Sequence, residues 1–470
     1  MTKTRSNLLK VFILIFCIAL FLTGCATVSN VTNKDGSKVY FDDIQYFQGQ
    51  VAVIGDYLYY GNGYTASDGD DFNYDTAAST GYLSRIKISE NLQYDLTEDE
   101  DGYVDPSPLG SEQVNDEKLI GYENQYMFAL GDYLYFTSAN THVLSDSSND
   151  YTRVSLFRVK FNGDKFEEID TFRHDENSVI TIQKGSDNNY YYIIYAPVDS
   201  EATSYNLYSI KIGNKMGDTV TLAENVNSVA VCDENSTIKN VVYTVDSERT
   251  SHETIAVKAV DFATGDITDY GDNNDVVGAT TRLISRIGDT VFYSYSDLKN
   301  TQEIVYYKDL TTDDKLFSGS SDKEFYVLAV SDIQRVGDGY MFISDASSSV
   351  MYKPSLNQVE NAQNVLTSSE YTDILFVDSE WIYYSNDTSI SRVSVRDINN
   401  KQTLVTMTSI ISGQCGYDGE YIYFYAQLEN TSNDSENTDT NYYMYRVDKT
   451  GVNPDGEYTI DLLSKVEKPN

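Results

Sequence analysis

Asp99, Asp101 and Asp105, with Gly102 among them, place hard oxygen ligands on one short stretch, EDEDGYVD from Glu98. Calcium takes several carboxylates from a single loop, so these three residues are the candidate metal ligands. Their spacing departs from the helix–loop–helix calcium loop, with its central glycine and closing bidentate glutamate. A solvated acidic loop is the plainer reading and the preferred one, because water and monovalent salt also relieve the repulsion among Glu98, Asp99, Glu100 and Asp101. The neighbourhood is acidic throughout: 11 acidic residues stand between Tyr64 and Asp105 against Arg85 and Lys87, among them the stretch DGDDFNYD at Asp68. SNDSENTDTN at Ser432 is similar and reads as disordered.

Other chemistry is sparse. His142, His174 and His252 are isolated in loops or strand flanks, and each is expected at the surface rather than as a ligand or base. No HExxH, CxxC or GxSxG occurs, nor a glycine-rich phosphate loop between a strand and a helix. With 72 acidic residues some pair will always look like an acid/base couple, so pairs decide nothing. No cofactor is expected.

The strongest chemical signal is at the N-terminus. Lys3, Arg5 and Lys10 precede an apolar run, Val11 to Phe21, which ends in Leu22-Thr23-Gly24-Cys25. As a helix that run spans only ~16 Å, too short for a permanent membrane anchor. The tetrapeptide resembles the lipobox of bacterial lipoproteins, in which the signal is cut before the cysteine and its thiol takes a diacylglycerol. The resemblance implies a signal peptide over residues 1–24, lipidation at Cys25, and attachment to a membrane of the bacterial cell envelope on its extracytoplasmic side. Two or more acyl chains hold a protein stably where one does not. Losing the three basic residues leaves 31 basic against 72 acidic residues. Anionic lipid repels so acidic a body, which leaves the lipid as its attachment; the same charge excludes a nucleic-acid partner. Residues 25–37 read as a lipidated tether and 38–470 as one folded domain, expected to be a monomer.

The elements that must carry these residues are repetitive. A turn pair followed by an aromatic, β-branched strand recurs as GDYLYYG at Gly55, GDYLYFTS at Gly131, NNYYYIIYA at Asn188, KNVVYTVD at Lys239, GDTVFYSYSD at Gly288, GDGYMFISD at Gly337, SEWIYYSND at Ser379 and DGEYIYFYA at Asp418. The first strand residues are Tyr57, Tyr133, Tyr190, Val241, Val291, Tyr340, Trp381 and Tyr421, spaced by 76, 57, 51, 50, 49, 41 and 40 residues. Most of these spacings suit a four-stranded propeller blade. A second phrase follows each first one, as in GYLSRIKI at Gly81, SLFRVKF at Ser155 and YYMYRVD at Tyr442. Short outer strands such as FEEID at Phe166 and ITDYG at Ile267 come next, and apolar runs such as QVAVI, VLAV and ILFV precede each unit.

Gly-Asp and Asn-Asn supply the positive φ that a tight hairpin needs. YLYY and YYYIIY are apolar at successive positions, so both faces of each sheet must be covered, as in a radial array whose blades pack on one another. The expectation is an all-β protein, a β-propeller of four-stranded antiparallel blades, eight in number, or seven if one unit is degenerate. The first unit is expected from Ile44 to Leu96, and KVYFDD at Lys38 to add a strand that ties the ends together. Cys232 and Cys415, in the fourth and eighth units, are expected as buried free thiols, too far apart to pair.

The paired phrases resemble bacterial lipoproteins with a propeller of the domain-of-unknown-function kind, and more distantly TolB-like and YWTD-like propellers. A single Trp is too few for the docking repeats of quinone-type propellers. The resemblance implies a fold and no activity. The preferred function is a non-enzymatic cell-surface module that binds a protein or glycan through its loops. The alternatives are an envelope-bound hydrolase or lyase of glycans using carboxylates, and an envelope assembly scaffold.

Overall fold

The computed structural model describes residues 31–465 except 33–36, 50, 63–79, 89–111, 121–125, 140–152, 176, 200–201, 234, 247–254, 273–279, 297–302, 313–316, 318–321, 327, 357–361, 408, 428–441 and 453–457. Cys25, Asp99, Asp101, Asp105, His142 and His252 lie outside the described residues. Every regular element among the described residues is a strand.

The strands group by fours into eight antiparallel blades, spanning 51–120, 127–173, 179–223, 226–272, 280–326, 330–366, 373–406 and 410–465. The chain is an eight-bladed β-propeller. Each blade runs inner strand, tight turn, aromatic strand, connection, third strand, turn, outer strand. In such an alternation the first-to-second and third-to-outer turns share one end of the strands, here the turn face. The second-to-third and blade-to-blade connections share the other, the loop face.

Among the described residues eight hydrophobic clusters hold the ring together, and each lies between two consecutive blades. One of them closes the circle, packing Tyr423, Tyr425 and Met444 of blade 8 on Leu58, Tyr60 and Ile86 of blade 1. This two-sided burial explains the aromatic strands: Leu58, Tyr59 and Tyr60 are all fully buried although they point to alternate faces. Two buried tyrosine hydroxyls bond across to the neighbouring blade. Tyr59 donates to the Phe161 carbonyl of blade 2 at 2.5 Å, and Tyr425 of blade 8 to the Gly61 carbonyl of blade 1 at 2.7 Å. A buried phenol therefore satisfies a backbone acceptor in the neighbouring blade.

Three expectations shift. The outer strand of blade 1 is Glu112–Ile120, so the unit does not end at Leu96; its sequence, EQVNDEKLI, is mostly polar and gives no aromatic signal. The acidic stretch from Glu98 is consequently an insertion between the third and outer strands of blade 1. The inner strand of blade 6 is Val330–Val336, which begins only on the last residue of the VLAV run. The N-terminal strand is Phe41–Gly49, and it joins the blades from inside the ring. It pairs with the inner strand of blade 2 (Phe47↔Met127) and of blade 8 (Gln48↔Tyr417), and the Tyr46 hydroxyl donates to the Ile182 carbonyl of blade 3 at 2.5 Å. It thus ties blades 8, 2 and 3, where a strand at the junction was expected.

Candidate functional site

One rung of side chains recurs across the blades. The turn aspartate caps its own hairpin: Asp418 Oδ1 accepts the Glu420 and Tyr421 N–H groups at 2.9 and 2.7 Å, and its Oδ2 accepts the Tyr423 hydroxyl at 2.8 Å. Asp378 does the same for Glu380, Trp381 and Tyr383. Burial alone would raise the Asp378 carboxyl, but these donors, with Lys449 beside them, hold it below the usual carboxylate range. Opposite the tyrosine stands a third-strand cation. Arg446 lies 4.2 Å over the Tyr421 ring, Arg392 4.1 Å over Trp381 and Arg85 4.2 Å over Tyr57. The outer strand supplies the last partner: Arg446 Nε donates to Asp461 at 2.7 Å and Arg158 Nε to Glu167 at 2.7 Å. These charged groups are therefore engaged in the blades themselves.

The rung changes face part-way round the ring. In blades 1, 2, 3, 7 and 8 its tyrosine packs towards the following blade, as with Tyr59, Tyr135, Tyr191, Tyr383 and Tyr423. In blade 4 the pair is Tyr243 and Lys258, in register with Asp269, and Tyr243 packs back towards blade 3. Two polar rungs, Tyr191 with Lys211 and Tyr243 with Lys258, thus meet at the one interface between blades 3 and 4.

A groove of about 960 Å³ opens at this interface. Its walls are the start of the third strand of blade 3 (Thr203, Ser204, Tyr205), the connection from Leu222 to Asn227, and the face of blade 4 with Asp246, Lys258 and Asp269. Most of these positions lie at strand ends on the loop face, so the groove opens there. Its size suits a small-molecule or oligomeric ligand, and its lining is rich in hydroxyl, amide and carboxylate groups.

Several of these groups are fixed in place. The Tyr205 ring stacks on Tyr195 with centroids 4.9 Å apart and planes 19° apart, and its hydroxyl bonds Asp175. Asn227 Nδ2 donates to Asp246 Oδ1 at 2.9 Å, and the Asn225 N–H donates to Asn206 Oδ1 at 3.1 Å. Asn225, in the cleft wall, and Ala202, next to Thr203, hold φ of 52° and 50°. A left-handed alanine costs of order 1 kcal/mol and persists only where its surroundings impose it. The groove is a preorganised polar cleft whose lining includes the rings of Tyr205 and Tyr243.

Of the residues singled out in the sequence, the described ones stand apart from this cleft. His174 is half-buried beyond the outer strand of blade 2, rather than at the surface, and burial lowers its imidazole pKa. Cys232 and Cys415 are buried and not joined in a disulfide, and burial pushes both thiols up. Among the described residues no group of three or more His, Cys, Asp or Glu side chains is placed to hold a metal ion. The cleft left no mark that sequence reading used, although VVYTVD is the one unit whose aromatic strand opens on two valines.

No family model matches the chain, and no curated protein matches it. Among solved structures it is similar to oligogalacturonate lyase from Vibrio parahaemolyticus, at 10% identity and TM-score 0.40, over 89% of this chain and 100% of that one. It is also similar to the β-propeller domain of the Trilobed protease from Pyrococcus furiosus, at 8% identity and TM-score 0.38, over 80% and 96%. An uncharacterised protein from Listeria monocytogenes is similar at 12% identity and TM-score 0.36, over 62% and 85%. The class of the fold rests on the eight four-stranded blades and their closure, not on these distant likenesses.

Proposed function

We propose that this protein is a lipid-anchored, extracytoplasmic binding module of the bacterial envelope, without catalytic activity, that holds a glycan at its loop face in the cleft between blades 3 and 4. The observation that carries the glycan is the cleft itself: a preorganised polar lining beside one tyrosine ring backed by another. Sugar hydroxyls want paired donors and acceptors, and the apolar face of a pyranose wants an aromatic plane. The lipobox-like Cys25 supports the anchor, and in blades 1, 2 and 8 the ends of the second strand and starts of the third, which long stretches of sequence join, lie on the same face as the cleft. The carboxylates of Asp378 and Asp418 and the guanidinium groups of Arg158 and Arg446 support a role without catalysis, because they are engaged in hairpins and rungs.

The test is a glycan array probed with the mature protein and with Tyr205→Ala and Asn227→Ala. Each substitution is expected to weaken the retained glycan by about tenfold, the worth of one stacking or hydrogen-bonding group, with the strand signature in circular dichroism unchanged. Retention that survives both substitutions, or capture of a protein and no glycan, refutes the reading.

A further inference from the structure

The chain between the proposed anchor and the propeller is short, and its far end is fastened to one particular face. Val31 and Val39 are each only 3% exposed and belong to the cluster between blades 1 and 2. The Val39 N–H donates to the Val31 carbonyl at 3.3 Å, and Thr32 bridges Lys38. Lys38 Nζ meets Asp132 Oδ2 at 2.7 Å, and Lys160 reaches the same oxygen at 2.7 Å. Gly55 sits beneath this hairpin with φ of 60°, where a Cβ would lie 2.9 Å from the Thr32 carbonyl oxygen. Gly55 and Asp132 are both first-to-second-strand turns, so the hairpin is docked on the turn face.

We propose that the turn face of blades 1 and 2 is the membrane-proximal surface of this protein, and that the loop face, with the cleft, is held away from the bilayer. The inference rests on lipidation of Cys25. Val31 lies six positions after Cys25, and that stretch spans at most about 20 Å when extended. A free tether of the full length 25–37 would let either face meet the headgroups; a docked one does not. The loop face then stands further out by the length of a blade, about 20 Å for a six-residue strand. The partner of the turn face is the lipid surface, held there by the acyl anchor against the repulsion of an acidic body.

The experiment uses the lipidated protein in phosphatidylcholine vesicles that carry a headgroup-tethered energy acceptor. A donor dye is attached at Asp164→Cys or Lys215→Cys on the turn face, or at Ser347→Cys or Thr388→Cys on the loop face; Cys232 and Cys415 are buried and stay unlabelled. Transfer from the turn-face positions is expected to exceed that from the loop-face positions at least twofold. Inserting a twenty-residue Gly-Ser linker after Ser29 is expected to keep the protein on the vesicles and abolish the contrast. Equal transfer from both faces in the unmodified chain, or greater transfer from the loop face, overturns the orientation. Failure of the protein to sediment with vesicles overturns the anchor instead, so the two outcomes are distinguishable.

Discussion

Lys353 ends the third strand of blade 6, fully buried, with Nζ donating to the Phe325 carbonyl of blade 5 at 2.7 Å and 4.6 Å from the Phe325 ring. No ion pair to it is found among the described residues, and burial pushes its ammonium down to about 8. A base whose folded pKa lies below its unfolded value binds more protons unfolded, so wild-type stability rises as pH climbs through this window. At pH 7 the buried proton costs about 3 kcal/mol, and by pH 9.5 about 2 kcal/mol of that is relieved. Replacing Lys353 with Met removes the cost and keeps the stem volume, while losing a hydrogen bond and a ring contact worth together about 2 kcal/mol. The variant is therefore expected to be about 1 kcal/mol more stable than wild type at pH 7 and about 1 kcal/mol less stable at pH 9.5. Urea unfolding followed by Trp381 fluorescence at both pH values measures the crossing. Buried tyrosines titrate in both proteins and drop out of the difference. A gap of constant sign and size at the two pH values would refute the assignment of a charged, desolvated Lys353.

Three further outcomes follow from the rungs and the closure. Asp378→Ala leaves two turn N–H groups and the Tyr383 hydroxyl without their acceptor and is expected to cost about 2–3 kcal/mol at pH 7. Because the Asp378 carboxyl is held below its ordinary value, that cost should shrink as pH falls below about 4 in urea titrations. Tyr425→Phe removes the hydroxyl that joins blade 8 to Gly61 and is expected to cost about 1–2 kcal/mol in the same assay. Cys232 and Cys415 should stay unreactive towards a thiol reagent in the native protein and react only on unfolding, followed by mass spectrometry.

What the sequence discloses and what it hides divide along physical lines. The aromatic strands were legible because Tyr and β-branched residues at successive positions demand burial on both faces, and the Gly-Asp turns because positive φ has few donors; Gly55, Gly131, Gly288 and Gly337 all adopt it. Cys232 and Cys415 were placed by the same counting of units. Glu112–Ile120 escaped because an outer blade strand can be polar. The cation rung was visible only as Arg or Lys in the second phrase, since its meaning depends on cross-strand register, as in Tyr423↔Arg446↔Asp461. The cleft was hidden for the same reason: moving the Tyr–cation pair to the other face takes a shift of one residue, which leaves the aromatic pattern nearly unchanged.

We propose that the loop face binds a glycan in the cleft between blades 3 and 4. Hydrogen exchange of the mature protein, with and without the glycan it retains, tests it most directly. Slowed exchange at backbone amides of 203–205 and 222–227, with the turn connections 161–166 and 395–400 unchanged, is the predicted result. Protection confined to the turn face or to the Phe41–Gly49 strand inside the ring, with none at the cleft, would contradict it.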